Sequence, residues 1–158
     1  MKAKQSLTKE QALQKLKHYC GYQERCHSEV RDKLFDLGVY RRFHDEIIST
    51  LIEENYLNEE RFAMAFAGGK WRIQKWGRVK IRYELKQKQL SEYCIKRAME
   101  EIDEDDYRKV LQKLVADKYA SLKKEQYLVR KKKTIDYLIN RGFESSMILE
   151  ALSFHAIG

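Results

Sequence analysis

An alanine-to-leucine interval of 22 residues occurs three times in this chain, from Ala12 to Leu34, from Ala63 to Leu85 and from Ala116 to Leu138. Four residues after each leucine stands Gly38, Gln89 or Gly142, followed at once by an apolar residue, Val39, Leu90 or Phe143. A recurrence at a fixed offset marks a repeated structural unit, here of about 50 residues. A unit of that size buries little core alone and gains from stacking on its neighbours.

The repeat is helical. The 158 residues contain no proline and only 7 glycines, so little interrupts helix propagation. Apolar residues recur with a period near 3.6. From Thr8, an N-cap residue, Ala12, Leu13, Leu16 and Tyr19 predict a first helix ending near Gly21. Ser28 to Gly38 predicts a second, capped by Ser28 and closed by Gly38 in the left-handed conformation. His44 to Asn55 predicts a third, burying Ile47, Ile48, Leu51 and Ile52. Asn58 opens a fourth, with Glu59 and Glu60 complementing its dipole. Phe62, Ala63, Phe66 and Ala67 form its apolar stripe, which Gly68 and Gly69 are expected to weaken or kink. A fifth starts near Gly77 and buries Ile81 and Leu85. A sixth starts at Ser91 with Ile95, Ala98, Met99 and Ile102. After an acidic linker, Asp103 to Asp106, a seventh spans Tyr107 to Leu122, an eighth Gln126 to Asn140, and a short ninth starts at Ser145 or Ser146. The expected architecture is all-α, an elongated, curved tandem array of three three-helix repeats, with boundaries at 1–56, 57–102 and 103–158.

No segment approaches the roughly 18 consecutive apolar residues of a membrane span. The start, MKAKQSLTKEQ, lacks an apolar signal core. Both point to a cytoplasmic protein without membrane contact. Three cysteines, Cys20, Cys26 and Cys94, are an odd number in a chain unlike a disulfide scaffold, and are read as reduced thiols.

Catalytic and metal-binding patterns are missing from the sequence. Gly68-Gly69-Lys70 lacks the glycine spacing and the following Ser or Thr of a phosphate loop. His18, Cys20, Cys26 and His27 have an interval between the cysteines too long for usual zinc spacing, and no second pair follows. Cys26 beside His27 has no evident orienting acid or oxyanion site. Glu53, Glu54, Glu59 and Glu60 read as helix-terminal charge. The expectation is a non-enzymatic protein with no catalytic residue, no metal and no cofactor.

Charge is the distinctive feature. The net charge is +8, and between Lys70 and Lys88 eight Lys or Arg face a single acid, Glu84. With a pI near 9.3 the chain favours polyanionic or acidic partners. The candidate contact residues of this run are Lys70, Arg72, Lys75, Arg78, Lys80, Arg82 and Lys86. Arg82 and Lys86 are four residues apart, and Lys75 joins their side if the fifth helix extends back that far. Trp71 and Trp76 lie among these cations and are candidates to stack on unpaired bases, with a packed core position as the alternative. A second run, Lys123, Lys124, Arg130, Lys131, Lys132 and Lys133, has only Glu125 opposing it. It is either a further contact patch, on one concave side with the first if the array curves, or a solvated helix end.

The run LNEERFA, Leu57 to Ala63, followed by Gly77, a basic residue at Lys80, Ile81 and Leu85, resembles the RecX family of regulators of the recombinase RecA. The resemblance extends more weakly from Glu10 to Phe154. Two positions depart from the family pattern: Glu59 stands where Asp is usual and Gln89 where Gly is usual. Without glycine, the turn before Leu90 must take a right-handed path or accept a strain of about 1 kcal/mol. The resemblance implies tandem three-helix repeats and, as partner, a RecA nucleoprotein filament. The chain would lie in its groove and negatively modulate recombinase, ATPase and coprotease activities in recombination and DNA repair. The expected state is a monomer. The alternative is a basic DNA-binding protein that acts by occupying single- or double-stranded DNA directly, since helical triplets distantly resemble helix-turn-helix units.

Overall fold

The computed structural model describes residues 7–156, so part of the chain start read above and the outer limits of the first and third repeats lie outside the described residues. Among the described residues, nine α-helices and one 3₁₀ turn follow in order. The first unit holds α1 (Lys9–Tyr22), α2 (His27–Asp36), the 3₁₀ turn Arg41–Phe43 and α3 (His44–Glu53). The second holds α4 (Glu59–Arg72), α5 (Arg78–Gln87) and α6 (Glu92–Met99), and the third α7 (Glu104–Ser121), α8 (Tyr127–Asn140) and α9 (Ser145–Ala156).

Short polar side chains start the helices. Thr8 Oγ1 accepts from the Gln11 N–H at 3.1 Å while Gln11 Oε1 accepts from the Thr8 N–H at 2.9 Å, a reciprocal capping box. Asn58 and Ser91 cap α4 and α6 in the simpler way, each accepting from the amide three residues on. Two starts differ from the sequence expectation. Cys26, not Ser28, is the N-cap of α2, because Glu29 reaches back to its amide at 3.1 Å. Ser28 Oγ instead donates to the Lys88 carbonyl of the second unit at 3.0 Å. The acidic run after Ile102 is not a linker: Asp103 caps α7, and Glu104, Asp105 and Asp106 form its first turn, where the dipole favours negative charge. Nor do Gly68 and Gly69 break α4, which is continuous and packs along α6. A Cβ on Gly69 would meet nothing within 4 Å and one on Gly68 only the Arg72 side chain of the same helix, so packing on either side of the pair carries the helix through.

The recurrent Gly-or-Gln position has one structural meaning in all three units. Val39, Leu90 and Phe143 donate their N–H to the carbonyls of Leu34, Leu85 and Leu138, five residues back. Gly38, Gln89 and Gly142 donate to Phe35, Lys86 and Ile139. This double bond pattern is a Schellman closure, and it requires a left-handed residue, here at φ 72°, 65° and 96° respectively. Gln89 therefore does not find a right-handed path; it adopts the strained conformation. The alanine register holds less well in the third unit, where Ala116 is half-buried and its neighbour Val115 fills the core.

Two hydrophobic cores result, and their division does not follow the units. Ala12, Leu16, Val30, Leu34, Ile47, Leu51 and Leu57 form a core confined to the first unit and the turn that leaves it. The second and third units share one continuous core that runs from Phe62 and Ala63 through Trp71, Ile81, Tyr107 and Leu138 to Leu152. Among the described residues of the first unit, only Cys26 reaches it.

The junctions differ accordingly. First and second units are tied by polar contacts: Arg61 Nε to Glu24 at 2.6 Å, His27 Nδ1 to Glu59 at 3.1 Å and Lys88 Nζ to Glu29 at 3.4 Å. Second and third units meet backbone to backbone. The Gly77 and Val79 N–H groups at the start of α5 donate to the carbonyls of Arg141 and Gly142 at the end of α8, at 2.8 and 2.9 Å. Unsatisfied donors of one helix thus meet unsatisfied acceptors of another. A Cβ on Gly77 would lie 2.2 Å from the Gly142 carbonyl oxygen, and one on Gly142 would lie 2.2 Å from Lys80 Cβ. Among the described residues, the hydrogen bonds and ion pairs between units join first to second or second to third, which is the connectivity of a linear array.

Candidate functional site

The last turn of α4, the turn that follows it and the helix α5 with its C-cap Lys88 carry the cationic run. Gly77 is the N-cap of α5, and Ile81 and Leu85 fasten the helix to the shared core. A residue two positions from a buried one is turned about 200° away, so Val79 and Tyr83 face outward. They are 51% and 58% exposed. Arg82 is exposed beside them and has no ion-pair partner among the described residues. Lys86, one turn on, is exposed and only loosely paired, 3.7 Å from Glu92. The outer edge of α5 is therefore an apolar pair flanked by two cations.

Three residues of the expected contact set are used otherwise. Lys75 is not on α5, because the helix begins at Arg78; it occupies the preceding turn at φ 56°, with Nζ 5.9 Å from the Trp71 ring centroid. Arg78 faces inward to the junction with the third unit. Its guanidinium lies 4.0 Å from the centre of the Tyr107 ring and forms ion pairs with Glu104 and Glu144. Burial works against its charge, but the hydrogen bonds it donates to Glu144 and Glu104 outweigh that and raise its pKa. Tyr107 completes this network: its hydroxyl accepts from the Arg78 amide at 3.1 Å and donates to Glu144. Burial, then the bond to Glu144, pushes its own pKa up. Trp71 is 6% exposed and packs 5.2 Å from Tyr107, centroid to centroid, so it is a core residue and not a stacking platform.

Trp76 differs from Trp71. It is half-buried, meets Phe66 edge-on at 6.3 Å, and has Lys70 Nζ and Lys80 Nζ at 4.7 and 4.2 Å from its ring centroid. Lys88 Nζ lies 5.9 Å from the Phe66 ring. Such contacts hold ammonium groups together that would otherwise repel, each by about 0.5–1 kcal/mol when exposed. Arg72 is exposed and folds its guanidinium back over Gly68.

The second basic run is partly neutralised. Lys132 pairs with Asp136 at 2.7 Å and Lys133 with Glu125 at 2.6 Å. Arg130 lies flat on Tyr119, 3.5 Å from the ring centroid, with Nε donating to the Tyr119 carbonyl at 2.7 Å. Lys123 and Lys124 sit in the exposed turn before α8, and Lys131 is half-buried on it. Only the far end of α8 touches α5. From Lys133 to Gly142 the helix rises on the order of 14 Å, so the two runs are not one cluster.

Sequence reasoning missed Val79, Tyr83, Phe66 and Lys88 as members of this surface. The signal for Val79 and Tyr83 was present: they lie opposite Ile81 and Leu85 on the helical wheel. Phe66 and Lys88 come from different helices, and only folding brings them together. The carboxylates Glu54, Glu59 and Glu60 are engaged with Lys17, His27 and Arg97. Among the described residues, no group of three or more His, Cys, Asp or Glu is arranged to hold a metal, and no helix is long and apolar enough to cross a membrane.

Comparison with known proteins bears on this arrangement. Residues 58–99 match the family model for the second three-helix domain of RecX, and residues 104–152 match that for the third. The regulatory protein RecX of Prosthecochloris aestuarii is 33% identical over 150 residues, covering 89% of this chain and 91% of that protein. The chain belongs to the RecX family. That family is one of regulatory proteins by name. The regulatory protein RecX of Bacillus cytotoxicus is 28% identical over 130 residues, and this match spans 82% of the chain but 48% of that longer relative. In fold, the chain is similar to a crystal structure of regulatory protein RecX, with a TM-score of 0.84 at 21% identity, covering 92% of this chain and 73% of the other. It is likewise similar to RecX from Lactobacillus salivarius, with a TM-score of 0.82 at 19% identity, covering 95% and 97% of the two chains. The all-helical array is thus the RecX fold.

Proposed function

We propose that this RecX-family chain binds RecA filaments assembled on DNA and restrains their recombinase, ATPase and coprotease activities, acting as a cytoplasmic monomer with no catalysis or cofactor of its own. The observation that carries the reading is the outer edge of α5. Arg82 without an ion-pair partner among the described residues, Lys86 loosely held, and the exposed Val79 and Tyr83 make a contact surface of mixed charge and apolar area. The array form suits a repeating partner, because linked weak contacts to successive protomers add through effective concentration.

The test is RecA ATP hydrolysis and filament binding measured together over a salt series. Arg82→Glu combined with Lys86→Glu is expected to raise the concentration needed for half-inhibition about tenfold or more, with circular dichroism and melting temperature nearly unchanged. Full inhibition by a folded double variant rejects the reading. The half-exposed Trp76 between Lys70 and Lys80 favours a second reading, direct occupation of DNA. Tight binding to bare DNA at physiological salt, with a steep salt dependence and weakened by Lys70→Glu with Lys80→Glu, would select it over the first.

A further inference from the structure

The first unit carries a cationic hollow of its own, remote in sequence from α5. A cleft of about 520 Å³ lies between α1 and α2, lined by Gln14, Lys15, His18, Tyr19, Tyr22, Arg25, Lys33 and Leu37. No acid lines it. Lys15, Arg25 and Lys33 form no ion pair among the described residues. Arg25 is already oriented: its guanidinium lies 3.7 Å from the Tyr19 ring centroid, and its Nε donates to the Tyr19 carbonyl at 3.1 Å. Its terminal nitrogens have no hydrogen-bond partner among the described residues. Tyr22 projects at the rim and is 80% exposed. A second hollow of about 530 Å³ adjoins the first across Gln14, His18 and Tyr22 and continues past Lys17 to Tyr56.

We propose that this trough along α1 binds single-stranded nucleic acid, with Tyr22 stacking on a base and Lys15, Arg25 and Lys33 meeting phosphates. Arg25 and Lys33 cover the Tyr19 ring and Lys17 is paired with Glu54, so the trough offers one open ring, Tyr22, beside three cations without an ion pair among the described residues, a base-stacking face next to phosphate-binding charge. Two adjoining hollows, each within the range of a ligand pocket, give a track longer than one nucleotide. Base pairs keep their faces stacked inside the duplex and cannot use Tyr22. The inference is independent of the filament reading, because the trough is on another unit.

The experiment uses the full chain and a labelled 12-residue deoxythymidine oligonucleotide, read by fluorescence anisotropy, with 5-iododeoxyuridine crosslinking mapped by mass spectrometry. Lys15→Glu with Lys33→Glu is expected to weaken binding about tenfold or more, and Tyr22→Ala, an exposed position that leaves the fold intact, about fivefold. Crosslinks are expected in the peptide holding Tyr19 and Tyr22, and to persist in the Arg82→Glu, Lys86→Glu protein, which tests filament contact separately. Unchanged affinity in the trough variants, or crosslinks confined to the second and third units, overturns the proposal. Equal affinity for a duplex of the same length overturns it too. Competition by an oligoglutamate peptide as strong as that by unlabelled oligonucleotide would assign the trough to acidic protein instead.

Discussion

Gln89 shows what a single residue reveals and hides. Its place in the repeat is plain from Gly38 and Gly142, and so is the demand for a left-handed turn, yet the side chain there is one that pays for it with strain. Replacing Gln89 by Gly is expected to raise stability by about 1 kcal/mol, visible as a higher urea midpoint with an unchanged slope. The cysteines give a second residue-scale prediction. Burial pushes the Cys20 thiol up to about 11, and burial likewise raises Cys26. A thiol whose pKa lies above the solution pH stays protonated and is a poor nucleophile. At pH 8 a disulfide reagent is expected to modify Cys94, the half-buried one, quickly, and the other two only after unfolding. Cys20 gains reactivity in the native state only as pH approaches its raised value. Fast modification of all three at pH 8 would contradict the packing described.

The docking of α5 on the end of α8 is a property of elements, not of side chains. Its hydrogen bonds run from main chain to main chain, and Gly77 and Gly142 are there because any Cβ would push the backbones apart. Gly77→Ala is expected to cost about 3 kcal/mol or more, since the clash is with backbone and cannot be relieved by a rotamer change. The same change at Gly69, where a Cβ meets nothing within 4 Å, is expected to be neutral or stabilising by up to about 1 kcal/mol. A thermal melt of the pair checks both. The helices themselves were legible from periodicity and caps, because Thr8, Asn58 and Ser91 act on amides three residues away. Errors came where a local signal had a stronger competitor: Glu29 moved the start of α2 to Cys26, and Asp103 turned an acidic linker into a helical first turn. The start expected near Gly77 holds, and the condition that would have put Lys75 beside Arg82 and Lys86 is not met, since α5 does not extend back past Gly77.

At the scale of the molecule, one core serves two units and another serves the first alone. Ion pairs, largely at partly exposed positions, hold the first unit to the second, and such contacts add little each. Native-state hydrogen exchange is therefore expected to show α1 to α3 opening as a block of lower stability, and α4, α6, α7 and α9 opening together at a higher free energy. Uniform protection across all nine helices would refute this division. A first unit that opens without loosening the rest would also change its angle to the α5 surface without disturbing it.

The sequence by itself determined the helices, the threefold unit, the excess of positive charge and the family. These depend on spacing along the chain, and spacing survives without coordinates. Only the tertiary structure decided which cations face solvent and which serve the fold. Arg78 and Arg82 are one helical turn apart and identical in type, yet the first is closed between Glu104 and Glu144 while the second is exposed and has no ion-pair partner among the described residues. The acids that separate them come from 26 and 66 residues away. Charge is local in sequence, but its neutralisation is a matter of distance in space.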